Sequence, residues 1–235
     1  MPQIFKLKDI EVDDITFTDF NDGEINISYL GKYPLLIEIP PLCCNGDIIL
    51  NKTKYTTHEL YLNLLGKNDY DTNAIDNFFK KLDSKLIGFG KLNYKNWGLE
   101  NKNIMYKSVI REFDKESPQK NGIKVKFMKS KNFNTLLFDQ KQNIIHTNDY
   151  QKYIKKGCYV KMIIELVCIW IKNSTYGIHI KLHQMKLCQN SNGSEMLSGY
   201  SFCESSDDDS YDGQSTNQQI DNLQYILSED SSESL

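Results

Sequence analysis

The sequence predicts a mainly β protein with a minor share of helix. Three observations predict it. Cys158–Ile171 and Ile178–Leu187 are two apolar, β-branched runs separated by Lys172-Asn173-Ser174-Thr175-Tyr176-Gly177, the pattern of a long antiparallel hairpin. Ile123-Lys124-Val125-Lys126-Phe127 alternates without a fault, as a strand with one wet face does. Thr72–Leu86 stands out as the best stretch with helical spacing.

Taken in order, residues 1–30 alternate from Ile4 to Tyr29 and are broken at Asp13-Asp14 and Asn21-Asp22-Gly23, which predicts two or three short strands with a turn at Asn21–Glu24. Leu35–Ile39 lies between Pro34 and Pro40-Pro41, so it is expected as an edge strand or one with clean ends. Asn45-Gly46-Asp47 marks a turn from which Ile48–Leu50 would pair back, and Thr56–Leu65 is a further strand. In Thr72–Leu86, Ile75, Phe78, Phe79, Leu82 and Leu86 form one apolar stripe, with Asp71, Thr72 or Asn73 as the cap.

Gly88–Lys102 is polar, punctuated by glycine and rich in rings, so it is expected as a loop. Its Phe89, Tyr94 and Trp97 stand among Lys91, Lys95 and Lys102. Such interleaving can stack bases while the amines meet phosphates, and the competing expectation is that Trp97 folds onto the core. Ile104–Phe113 fits either strand or helix and carries Tyr106, Lys107 and Arg111; Thr135–Asp139 is a short strand and Asn148–Lys156 a short helix or turn.

Within the hairpin, Val160, Met162, Ile164, Leu166, Cys168 and Trp170 share one face, while Tyr159, Lys161 and Glu165 share the other. Alternation therefore places Trp170 inside, and only a bulge would reverse it. On the second strand Ile178, Ile180 and Leu182 point in, and His179, Lys181 and His183 point out.

The charge of −3 conceals a division of the chain. Residues 190–235 hold ten acids and neither Lys nor Arg, which leaves 21 acids against 28 bases, or +7, in residues 1–189. A basic domain over residues 1–188 and an acidic, Ser/Asp-rich disordered tail over residues 189–235 are expected. The split suits an anionic partner for which the tail competes, or simply a solubilising tail. Arg111 is the sole arginine, which favours contact with a phosphate backbone over bidentate reading of guanine.

Six cysteines without a C-x-x-C pair read as reduced thiols. The absence of a signal-like start or of a long apolar run predicts a soluble, intracellular protein with no membrane partner. Neither a phosphate-binding loop, a nucleophile elbow nor a dinucleotide fingerprint occurs, so no enzyme and no cofactor are expected. His179 and His183 would lie roughly 13 Å apart on a strand, too far to share a metal with Cys188.

The strings GCYVKMIIELVCIW at Gly157–Trp170 and YGIHIKLHQMKL at Tyr176–Leu187 resemble the C-terminal core of single-stranded DNA-binding proteins of large nucleocytoplasmic (giant) DNA viruses. Pro34-Leu35-Leu36-Ile37-Glu38-Ile39-Pro40 is similar to a P-L-x-I-x-T-P stretch in related proteins, with Ile39 in place of Thr. The resemblance implies an OB-fold-like antiparallel β-barrel with one or two short helices. It also implies a protein that coats unpaired DNA during viral replication, repair or recombination, in the host cytoplasm or packaged in the virion. Its acidic tail would compete with DNA and recruit replication proteins, and a homo-oligomer is compatible with such a role. In similar phage proteins that tail ends in an aromatic residue, whereas this chain ends in Leu235.

On this reading Lys91, Lys95, Arg111, Lys124, Lys126, Lys161 and Lys181 neutralise phosphates, and Tyr94, Trp97, Tyr106 and Tyr159 stack bases. Ser205 and Ser206 before Asp207-Asp208-Asp209 form a regulatory tail segment open to an acid-directed kinase. The alternative is a virion or protein-interaction module that uses the same Lys-rich sheet face.

Overall fold

The computed structural model describes residues 3–52, 56–66, 69–99, 103–112, 121–130 and 133–188; the acidic segment, with Ser205 to Asp209, lies outside them. The strands are β1 (Ile4–Lys6), β2 (Ile15–Phe17), β3 (Glu24–Tyr29), β4 (Tyr33–Cys44), β5 (Ile49–Lys52), β6 (Thr56–Gly66), β7 (Met105–Lys107), β8 (Ile110–Glu112), β9 (Asn121–Phe127), β10 (Leu136–Phe138), β11 (Ile144–Ile145), β12 (Tyr159–Lys172) and β13 (Thr175–Leu187). The helices are α1 (Asp69–Asn93) and α2 (Tyr150–Tyr153). The class is mainly β. The hydrogen-bonded order is open, β11-β10-β13-β12-β3-β4-β6-β9-β8. Most pairings are antiparallel, but β1–β4, β10–β13 and β7–β13 are parallel.

The hairpin organises this sheet. Strand β12 pairs with β13 along its length, and its other edge meets β4 and then β3. Asn173 makes the tight turn in the left-handed region at φ 54°, where asparagine is tolerated, and Thr175 Oγ1 donates to Lys172 O at 2.9 Å. The register slips twice: Val167 has no partner between Leu166↔Ile180 and Cys168↔His179, and His183 has none between Ile163↔Gln184 and Ile164↔Leu182. Each slip moves the following side chains to the opposite face. Cys168 and Ile169 are consecutive buried residues, and Met185 and Leu187 point inward where even-numbered positions did before.

Two expectations change with the architecture. Strand β4 is interior and runs through Pro34, Pro40 and Pro41. It tolerates Pro40-Pro41 because the ladder to β12 slips there, from Val160↔Leu42 to Met162↔Ile39, where the missing N–H groups interrupt no regular pair. Strand β5 pairs with β6 rather than turning back onto β4.

Helix α1 begins at Asp69, ahead of the expected caps, and continues through Gly88 and Gly90 to Asn93, so the first part of the expected loop is helix. Its stripe of Ile75, Phe78, Phe79, Leu82 and Leu86 is buried as the spacing predicts, against β6 and β4. Gly90 extends this packing. A Cβ there would collide with Tyr176 Oη, and that hydroxyl donates to Leu86 O at 3.2 Å. The helix can lie this close to β13 only because the position lacks a side chain. Among the described residues no helix is long and apolar enough to cross a membrane.

Candidate nucleic-acid interface

Period two on β9 sends Ile123, Val125 and Phe127 into the core and leaves Lys124 and Lys126 on the outer face. Strand β8 lies beside β9, with Arg111 opposite Gly122 and exposed. Strand β7 lies beside the start of β13, with Lys107 opposite Gly177. Lys107 is exposed because its neighbours are anchored inward: Tyr106 Oη and Ser108 Oγ both donate to the Asp83 carboxylate of α1, at 2.7 and 2.5 Å. Burial, together with the Asp83 hydrogen bond and charge, pushes the Tyr106 hydroxyl far up in pKa, so it stays protonated as a donor.

The bulge at Val167 brings Trp170 to this same face. Trp170 pairs with Gly177, and a Cβ on Gly177 would come within 2.9 Å of Trp170 Cζ2. The indole therefore lies against bare backbone and stays half-buried rather than entering the core. The result is a depression of about 400 Å³ bounded by Lys107, Arg111, Lys124, Lys126, Trp170 and His179.

Its charge is partly balanced from below. Glu59 of β6, 6 % exposed, receives Lys124 Nζ at 2.6 Å and Lys126 Nζ at 3.1 Å. Burial alone would raise the Glu59 pKa, but the hydrogen bonds and charges of the two lysines outweigh it and hold the carboxyl below its ordinary range. Burial likewise opposes the charge on Lys124, and Glu59 and Tyr61 reverse that and raise its pKa. Among the described residues, no carboxylate pairs with Lys107 or Arg111. Among the described residues, four cations over one buried anion leave about three positive charges around an aromatic plate, the composition that holds a phosphate chain and a base together.

Of the expected site residues, the depression gathers Arg111, Lys124 and Lys126. The others lie elsewhere. Lys161 pairs with Glu38 beside a separate depression of about 320 Å³ that also holds Lys186. Lys181 sits 3.9 Å from the Phe133 ring centroid and 3.9 Å from a Glu165 oxygen, which His183 Nε2 also contacts at 2.7 Å. Lys91 and Lys95 are exposed at the end of α1 and in the following turn, and Tyr159 is half-buried beside β4.

Three of the rings expected to stack pack within the protein to different extents. Tyr94 and Trp97 are only 7 % and 5 % exposed, and Trp97 packs between Phe89 and Tyr176 with centroids 5.9 and 5.3 Å away. Tyr106 is half-buried, 5.2 Å from the Tyr176 ring, with its hydroxyl on Asp83. Tyr94 and Trp97 offer no face to a base, because the end of the helix turns them inward, and Tyr106 is held by its bond to Asp83. The residues missed in their place are Lys107 and Trp170, with His179 at their edge. Alternation from the inward Tyr106 would have found Lys107; Trp170 depended on an unseen bulge.

No protein-family model and no curated protein matches the chain. Among solved structures, it is similar to the single-stranded DNA-binding protein gp2.5 of bacteriophage T7, at 12 % identity over 70 % of this chain and 98 % of that one, with a TM-score of 0.47. It is also similar to the single-stranded DNA-binding protein of bacteriophage Enc34, at 15 % identity over 77 % and 96 %, with a TM-score of 0.43. A structure of the Enc34 protein in complex with single-stranded DNA matches at 14 % identity over 74 % and 96 %, with a TM-score of 0.43.

Proposed function

We propose that the chain binds single-stranded DNA without sequence preference, in the depression between β7, β8, β9 and the β12–β13 turn. The observation that carries this is the Trp170 indole, held at a basic surface on the backbone of Gly177 with Lys107, Arg111, Lys124 and Lys126 around it. Trp170 stacks one base, and the cations meet the phosphates on either side. Three of the four cations are lysines, which act as point charges and do not read base edges bidentately. Such indifference suits a coat on unpaired DNA during replication, repair or recombination. The ten acids of residues 190–235 oppose a polyanion, so their removal tightens binding.

The test is binding of a labelled oligo-dT and of a duplex of equal length at two salt concentrations. Preference for the single strand is expected, with a logarithmic salt slope of about −2 to −3 for three to four neutralised phosphates. Equal binding of duplex, or an affinity indifferent to salt, would overturn the proposal and favour a protein partner for this face.

A further inference from the structure

Far along β12 from Trp170, where the strand begins, two thiols meet. Gly157, at φ 85°, and Cys158 stand opposite Cys44 at the end of β4. Cys44 N donates to Cys158 O at 2.8 Å, and Gly157 N donates to Cys44 O at 2.9 Å. Two residues facing one, the first a left-handed glycine, make a bulge that turns the Cys158 side chain onto Cys44. The sulfurs are 3.3 Å apart and both are reduced. A disulfide needs about 2.05 Å, which side-chain rotation supplies on a frame already joined by two backbone hydrogen bonds.

The two thiols are unequal. Cys44 is 1 % exposed, whereas Cys158 is half-buried and reachable. The Cys44 hydrogen bond, against the opposing effect of burial, lowers the Cys158 pKa to about 7, while Cys44 itself is pushed far up. Neighbouring Cys43 is held apart: it pairs with Tyr159, and its thiol turns back to Cys44 O at 3.8 Å.

We infer that Cys44 and Cys158 are a redox-convertible pair, with Cys158 as the attacking thiol and Cys44 as the resolving one, closed by a small disulfide oxidant of the glutathione class. The Cys158 thiolate attacks one sulfur of the oxidant and expels a thiolate, leaving a mixed disulfide on Cys158. Cys44 then gives up its proton and attacks the Cys158 sulfur, which breaks the mixed disulfide and expels the second small thiolate. Two protein thiols are oxidised to one disulfide, and one oxidant disulfide is reduced to two thiols. The bond ties the end of β4 to the start of β12 across most of the described sequence, so the oxidised form is the more stable one.

The full chain is fully reduced, then incubated with oxidised glutathione, and its intact mass, cysteine peptide map and Tm are measured. A mass loss of about 2 Da is expected, with a Cys44–Cys158 peptide and a Tm higher by several degrees, all reversed by dithiothreitol. Cys44→Ser should trap a lasting glutathione adduct on Cys158 and lose the Tm rise; Cys158→Ser should show neither the adduct on that strand nor the mass loss. A cross-link from Cys43 or Cys203, a lasting adduct on the wild-type chain, or no change in mass would overturn the inference.

Discussion

The chain places rings beside lysines in two regions, and they end differently. In Phe89–Trp97 the rings turn inward: Trp97, Phe89 and Phe17 pack in series, and Tyr176 closes the cluster. Around Trp170 the ring remains at the surface with the cations. Composition is nearly the same in both. Backbone geometry separates them: the helix runs on past Gly88, Gly90 lets it press against β13, and one extra residue in β12 sends Trp170 outward. An aromatic among lysines thus shows a nucleic-acid surface only once its phase relative to the core is known.

Substitutions can break or sharpen that contrast. Trp97→Ala should cost about 3–5 kcal/mol of stability, read as a lower midpoint in urea, with DNA affinity preserved where the protein remains folded. Trp170→Ala should do the reverse, weakening oligo-dT binding by about 1–3 kcal/mol with a much smaller change in the urea midpoint. If the two variants behave alike, the distinction between the regions is wrong. Next in size, Lys107→Ala or Arg111→Ala should each lower the magnitude of the salt slope by about 0.7, and Lys91→Ala should leave it unchanged.

The smallest effect is that of Glu59→Gln, which removes the buried counter-charge and should steepen the salt slope while lowering stability. The folded chain holds this carboxyl below its ordinary value of 4.5. Its stabilising contribution is therefore complete above pH 4.5 and fades as the pH falls through the lower folded value. The Tm difference between wild type and Glu59→Gln should accordingly shrink below pH 4.5 in an acid titration.

Much of the architecture was legible because burial writes its period into the chain. The alternation at Ile123–Phe127, the stripe from Ile75 to Leu86 and the Asn21–Glu24 turn all stand where their patterns place them. What was hidden depended on partners. Pro40-Pro41 reads as a strand end unless the slip in β12 opposite it is known, and Gly88 and Gly90 read as loop unless the Tyr176 ring over the second one is known. The candidate interface was legible by half. Arg111, Lys124 and Lys126 follow from charge and local alternation. Glu59 beneath them and Trp170 beside them are fixed by register between strands distant in sequence, which no local pattern records.

The unpaired Val167 can also be seen as a spacer between two frames of one strand. Upstream of it the even numbers face the interior; downstream, past the buried Cys168, Ile169 faces in and Trp170 does not. Excising that single valine would set Cys168↔His179 directly after Leu166↔Ile180 and leave Ile169 opposite Ile178 and Trp170 opposite Gly177. The aromatic plate would stay outward, and Cys168 would be the side chain turned from the interior.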